Sequence, residues 1–221
     1  MLKFFQLLFM IFMTYASAEA QSLSPFQYKA KKFDYLLGME GLSDDLLKEH
    51  FELYRGYVNQ TNLINQKLSD LLNSSKMSAY EYSALKKAYA FEFNGMKLHE
   101  LYFENISKMR EKNDGLSITK KLNSDFGSYE LWEKDFIQTG LTRGIGWVIS
   151  YFDKTSGKII NSWISSHEVG VPIFNDIIII MDCWEHAYLK NYGIKRVDYL
   201  NNFVSHINWK VAEARLQNAD K

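Results

Sequence analysis

The stretch Ile177-Ile178-Ile179-Ile180-Met181-Asp182-Cys183-Trp184-Glu185-His186-Ala187-Tyr188 decides how this chain is read. Its β-branched apolar half has the pattern of a buried strand. An aspartate stands where that strand ends, and a histidine follows four residues later. A buried charge costs several kcal/mol unless it is paired or bound to a metal. Two explanations are open at this point: a plain Asp–His hydrogen bond, or a metal ion. The rest of the chain has to supply partners for the second.

Working outward from that stretch, the chain divides into two compositional halves. Residues 21–124 read as a helical hairpin domain. Ser43 is a plausible cap for a helix starting at Asp44, and Leu46, Leu47, His50, Phe51, Tyr54, Tyr57 and Val58 keep an apolar and aromatic stripe at helical spacing. This helix runs to about Leu72, and Asn73-Ser74-Ser75 ends it. A second helix runs from near Ser78 to about Asn105, with Asn94-Gly95 as a candidate kink. Residues 125–221 read as an α/β domain. A helix from about Ser128 to Thr139 leads to a strand ending near Phe152, a turn at Asp153–Gly157, a returning strand from Lys158 to Ser165, the isoleucine strand, and one closing helix from Asp198 to Leu216. Helices first and then a three-stranded antiparallel sheet with helices make the fold class α+β.

Residues 1–20 stand apart. Phe4 to Tyr15 is almost wholly apolar, Lys3 precedes it, and Ala16-Ser17-Ala18 and Ala18-Glu19-Ala20 both fit a small-x-small cleavage site. This reads as a secretory signal peptide, so the mature protein is expected to be exported, periplasmic or extracellular, and not membrane-bound. With one cysteine, Cys183, it can form no internal disulfide. The balance of 26 basic and 26 acidic side chains argues against a nucleic-acid partner, which draws a basic excess.

Five histidines are present: His50, His99, His167, His186 and His206. One from each long helix, His50 and His99, could join Asp182 and His186 in a three-nitrogen, one-oxygen site. Imidazole and carboxylate donors suit iron, manganese or zinc, and the lack of thiolates argues against a structural zinc.

At this point the residues resemble a known family. Asp182-x-Trp184-Glu185-His186-Ala187-Tyr188 matches the signature of the iron/manganese superoxide dismutases. Tyr57-Val58-Asn59, Phe93-Asn94-Gly95 followed by His99, Gly144-x-Gly146-Trp147, Arg196-x-Asp198-Tyr199-Leu200 and Ile207-Asn208-Trp209 resemble its other blocks, in order and over nearly the whole mature chain. The resemblance implies one iron or manganese per subunit, with a lean to iron, bound by His50, His99, Asp182 and His186 beside a solvent molecule. It implies superoxide as substrate, redox cycling as the reaction, and dioxygen and hydrogen peroxide as products. It also implies a homodimer in which Glu185 bonds His186 of the other subunit. Tyr57 would stand at the substrate funnel, Trp147, Trp163 and Trp184 would wall the site, and Arg196 is a candidate for attracting the anion.

The chain departs from the family pattern in three places. The first ligand ordinarily lies eight residues before the tyrosine, and here Glu49 holds that position while His50 lies seven before Tyr57. The histidine that follows on the same helix is replaced by Leu53 or Tyr54, so the contact with the partner's tyrosine, here Tyr188, has to be rebuilt. The glutamine that grips the solvent is absent: Gly95 stands at one of its positions and His167 at the other, which makes His167 the expected donor. Two other readings use the same residues, a non-catalytic binding or structural protein on this fold and a different metal oxidase. Four protein ligands rather than an open three-residue triad weigh against the latter.

Overall fold

The computed structural model describes residues 25–173 and 175–219, so the leader reading of residues 1–20 lies outside the described residues. Two long helices come first, α1 (Asp44–Asn73) and α2 (Ala79–Asn105). Ser43 caps α1 by accepting the Leu46 N–H, and Ser78 caps α2 by accepting that of Glu81. Each satisfies one of the amides that a helix start leaves without an intrahelical partner. The two helices pack as a hairpin, burying Leu46, Leu47, Phe51, Tyr54 and Val58 of α1 on Met96, Leu98, Tyr102 and Phe103 of α2. An extended segment before α1 is strapped across them. The Tyr28 amide donates to Asn62 Oδ1, Asn62 Nδ2 donates back to the Tyr28 carbonyl, and the Lys31 amide donates to Tyr54 Oη.

Then come α3 (Ser117–Phe126), α4 (Tyr129–Gly140), and strands β1 (Gly146–Asp153), β2 (Lys158–Ser165) and β3 (Asp176–Asp182). Short α5 (Leu189–Tyr192) precedes α6 (Arg196–Ser205) and α7 (Trp209–Ala219). The sheet is antiparallel throughout, in the order β2-β1-β3, as the α+β reading requires. Its register positions the site. Trp147 lies opposite Asp182 on one side and opposite Ile164 on the other. The start of β1 and the ends of β2 and β3 therefore meet at one edge of the sheet, facing the helical hairpin.

Three local expectations are corrected. The Asn94-Gly95 pair does not break α2, which runs continuously through it. The closing helix is two helices, because the chain leaves helical geometry at His206 to pair with the end of α2: Ser107 N–H donates to His206 O, and Asn208 N–H to Asn105 O. Amphipathic spacing persists across this break, so periodicity alone could not show it. The sequence reading placed no helix between Asn105 and Ser128, where α3 lies; it packs against α4, β2 and α7.

Candidate metal centre

His50 and Tyr57 are seven residues apart on an unbroken α-helix. At about 100° per residue, seven steps return to within about 20° of the starting direction, so both side chains face the same way. The helix therefore settles the spacing question without a bulge. His50 is 1% exposed. Glu49 points outward and pairs with Lys190 at 2.7 Å. Of the two residues that could replace the missing histidine, Tyr54 turns into the core and donates to Glu100 Oε1, while Leu53 lines the cleft outside the site.

One oxygen organises the centre. Asp182 Oδ2 lies 3.2 Å from His50 Nε2, 3.5 Å from His99 Nε2 and 3.1 Å from His186 Nε2. The four candidate donor atoms all lie within 4.8 Å of one another. Asp182 is itself fixed at two atoms. The Trp184 amide donates to Oδ1, Tyr199 Oη donates to its carbonyl, and Oδ2 is left facing the imidazoles.

The protonation pattern tests whether a cation fits. His99 Nδ1–H donates to the Gly95 carbonyl at 2.6 Å, which leaves the lone pair on Nε2. Burial holds both His50 and His99 below the usual imidazole range, so they are neutral. Burial pushes the Asp182 carboxyl up, but the facing His186 and His50 groups outweigh it and the group stays ionised. His99 Nε2 and both nitrogens of His50 are buried without a hydrogen-bond partner. The His99 lone pair, an unpartnered His50 nitrogen and an anionic oxygen thus converge on one point in a largely buried setting. Left alone they would repel and forfeit their hydration; one hard or borderline cation satisfies them all. The donor set fits iron or manganese.

Around this centre, Trp147 meets His99 edge-on at 4.9 Å between ring centroids, and Trp184 stacks on His167 at 4.7 Å and on His186 at 5.8 Å. Tyr102 and Phe103 pack on His50. Trp163 does not join this wall as expected: it lies under the Arg196 guanidinium. Arg196 is tied into the fold: its Nη1 and Nη2 donate to the carbonyls of Thr142, Gly144 and Cys183, so it fastens the turn before β1 to the turn after β3, while its Nε is buried without a hydrogen-bond partner.

His167 is fully buried next to the centre. Trp147 Nε1–H donates to its Nδ1 at 3.0 Å, so in the neutral ring the proton is on Nε2, which meets Tyr57 Oη at 2.9 Å. The residue expected to grip the solvent thus directs its N–H at the tyrosine. Burial lowers the His167 pKa to about 4. A protonated ring would also set its Nδ1–H against the Trp147 N–H. An unfolded histidine titrates near 6.5, so between about 6.5 and 4 the unfolded chain binds the extra proton and stability is lost on acidification, by roughly 3 kcal/mol in full. Melting temperatures of the parent and of His167→Gln, measured from pH 7 to 4.5 at equal metal content, should show a shallower acid decline in the variant. Parallel curves would contradict this.

Gly95 serves the same pair. A Cβ there would come 2.7 Å from the Tyr57 ring. Gly95→Ala should push the tyrosine off His167 and lower turnover about tenfold. Its overpacking cost of roughly 1–3 kcal/mol should be partly offset by alanine's helix preference of about 1 kcal/mol. Steady-state rates with a denaturant titration check both effects.

Sequence reasoning missed Tyr102 and Tyr199, whose hydroxyls meet at 3.0 Å behind Asp182. Buried tyrosines call for a hydroxyl partner, but nothing in sequence spacing says which. Glu185 is exposed and its carboxylate has no partner among the described residues. It lines, with Glu49, His50, Leu53, His186, Leu189 and Lys190, an open cleft of about 460 Å³. Tyr188 is buried, stacked on Tyr199, and Leu189 faces the cleft instead.

Comparison with known proteins agrees with this geometry. Residues 113–215 match the family model described as iron/manganese superoxide dismutases, C-terminal domain. The chain is 30% identical over 185 residues to a superoxide dismutase [Fe] of Saccharolobus solfataricus, covering 80% of this chain and 86% of that protein. It is 31% identical over 188 residues to a superoxide dismutase [Fe] of Aquifex aeolicus, covering 83% and 88%. A superoxide dismutase [Mn] 1 of Haloferax volcanii is 25% identical over 198 residues, covering 89% and 98%. With the histidine and aspartate donors converging as they do, and relatives matched along most of their length, the chain belongs to the iron/manganese superoxide dismutase family.

Proposed function

We propose that this protein is a superoxide dismutase, converting superoxide to dioxygen and hydrogen peroxide at one iron or manganese held by His50, His99, Asp182 and His186. The observation that carries this reading is the convergence of three imidazole nitrogens on Asp182 Oδ2, with the Tyr57–His167 pair beside it. Held by those four residues, the metal would supply a one-electron redox couple for the two halves of the dismutation. The chain's own residues do the rest. Asp182 contributes negative charge, which favours the higher oxidation state, and the Trp184 amide keeps Oδ2 aimed inward. Burial raises the Tyr57 pKa, so its phenol keeps its proton at neutral pH. His167 Nε2–H occupies a lone pair of Tyr57 Oη, which leaves the phenolic O–H free to turn toward the cavity and deliver a proton there. Trp147, Trp184 and Phe103 keep the surroundings dry, so these few polar groups act at low dielectric.

Iron is the favoured metal, in keeping with the iron-named relatives. The working form is a homodimer joined at the Glu185 cleft, with Glu185 of each subunit bonding His186 Nδ1 of the other. The support is Glu185's unpartnered exposed carboxylate, His186's outward edge and the apolar Leu53 and Leu189 around them. The leader-like residues 1–20 support export to the periplasm or the exterior.

Elemental analysis of purified protein together with a superoxide-consumption assay tests the function. About one iron or manganese per subunit and rapid consumption are expected. Full metal loading without activity would leave the non-catalytic reading in its place.

A further inference from the structure

Two features near the centre are not accounted for by its ligands. Ser166 is the one non-glycine residue with positive φ among those described, at +56°. It directly precedes His167, in the tight turn that closes β2. That turn is drawn shut by the Ser165 amide on the Val169 carbonyl and by the Val169 amide on the Ser165 carbonyl, and the Ser166 amide donates to Ile145 O. A left-handed serine is an uncommon conformation that the surroundings must hold in place. The second feature is Asn94 on α2, whose Nδ2 donates to the His167 carbonyl at 2.9 Å.

The turn grows from the sheet, whereas Tyr57, the group that His167 serves, stands on the helical hairpin. The relative placement of the two therefore depends on what joins the turn to the hairpin. Asn94 makes that join by hydrogen bond, next in sequence to Gly95, which clears the space for the Tyr57 ring. On the other side of the imidazole, Trp147 fixes Nδ1. His167 is thus hydrogen-bonded at its carbonyl from α2 and at its ring from β1, with Phe91 and Trp184 packed on the ring, and together these contacts leave Nε2 pointing at Tyr57 Oη.

We infer that Asn94 is a positioning residue for the reaction: its amide, against the backbone strain at Ser166, holds His167 where Nε2 meets Tyr57. The effect on rate rests on the dismutase reading; the effect on geometry does not. A misplacement on the order of 1 Å at such a group can cost about a hundredfold, and a partial one is expected to cost about tenfold.

The test uses Asn94→Leu, which keeps the side chain's shape without its donor, and Asn94→Ala in case the first variant folds poorly. Both are prepared as metal-loaded protein, alone and combined with His167→Ala. Crystal structures should show Tyr57 Oη and His167 Nε2 parted beyond hydrogen-bond distance, with metal content unchanged. Turnover should fall about tenfold in the single variants. Because Asn94 acts through His167, adding either change to His167→Ala should alter that variant's rate by less than about twofold. An intact Tyr57–His167 bond in the crystals overturns the inference, as do rate losses that multiply in the double variants. If the parent protein binds metal and consumes no superoxide, the dismutase reading fails, and the crystal structures alone decide the positioning claim.

Discussion

Asp182→Ala is expected to strip the metal and to lower superoxide turnover by about 10³-fold or more, since the one anionic donor among four is lost. The three Nε2 atoms now spaced 3.1 to 3.5 Å from Oδ2 would be left around an empty space. The Trp184 amide would also lose its acceptor, a cost of roughly 1–3 kcal/mol for a buried donor. Asp182→Asn separates the two effects. Its side-chain carbonyl can still accept from Trp184, while the charge is gone. The asparagine variant should therefore approach the parent's fold stability without metal and still fail to bind iron or manganese tightly. Metal analysis, superoxide assay and chemical denaturation of the metal-free proteins provide the comparison. Retention of near-parent activity by either variant would rule out Asp182 as a ligand.

Glu185→Ala should weaken the pairing of the subunits and loosen the metal. The Glu185–His186 contact proposed across the two-fold occurs twice per dimer, so one substitution removes two charge-assisted hydrogen bonds. At roughly 1.5–3 kcal/mol each, the dimer dissociation constant should rise about 10²- to 10⁴-fold. His186 would lose the group that orients its ring, and metal affinity should drop about 10- to 100-fold, as for other partners of metal-bound histidines. Sedimentation across a concentration series reads the first effect, and competition with a chelator reads the second. A variant that stays dimeric with its metal held as tightly would mean that Glu185 faces solvent. The cleft's apolar residues Leu53 and Leu189 would still support weak association, so the expected change is in affinity rather than an absolute loss of pairing.

Much of this was legible in the order of residues because it is local. The Ser43 cap, the hairpin strands and the isoleucine run each follow from a few neighbouring side chains, and the structure has them nearly where expected. The break at His206 was hidden because an amphipathic repeat continues through it, and the partner that draws the chain out of the helix is the end of α2, about a hundred residues earlier. Arg196 looked like an anion lure because a lone arginine near a site carries charge. Only the fold reveals the three carbonyls that its Nη1 and Nη2 hold, a bracing role that spacing in the sequence does not show.

By itself the sequence determined which residue types could bind the metal and which family they match, since donor chemistry and motif order are properties of the chain. It left open whether His50 or Glu49 turned inward. The continuous α1 decides for His50, because seven residues at helical pitch bring it and Tyr57 to one face while Glu49 pairs outward with Lys190. It also left open where the His167 proton goes. Tertiary structure alone sets Trp147 against one ring nitrogen and Tyr57 against the other, because those groups come from a strand and a helix that meet only when the sheet edge docks on the hairpin.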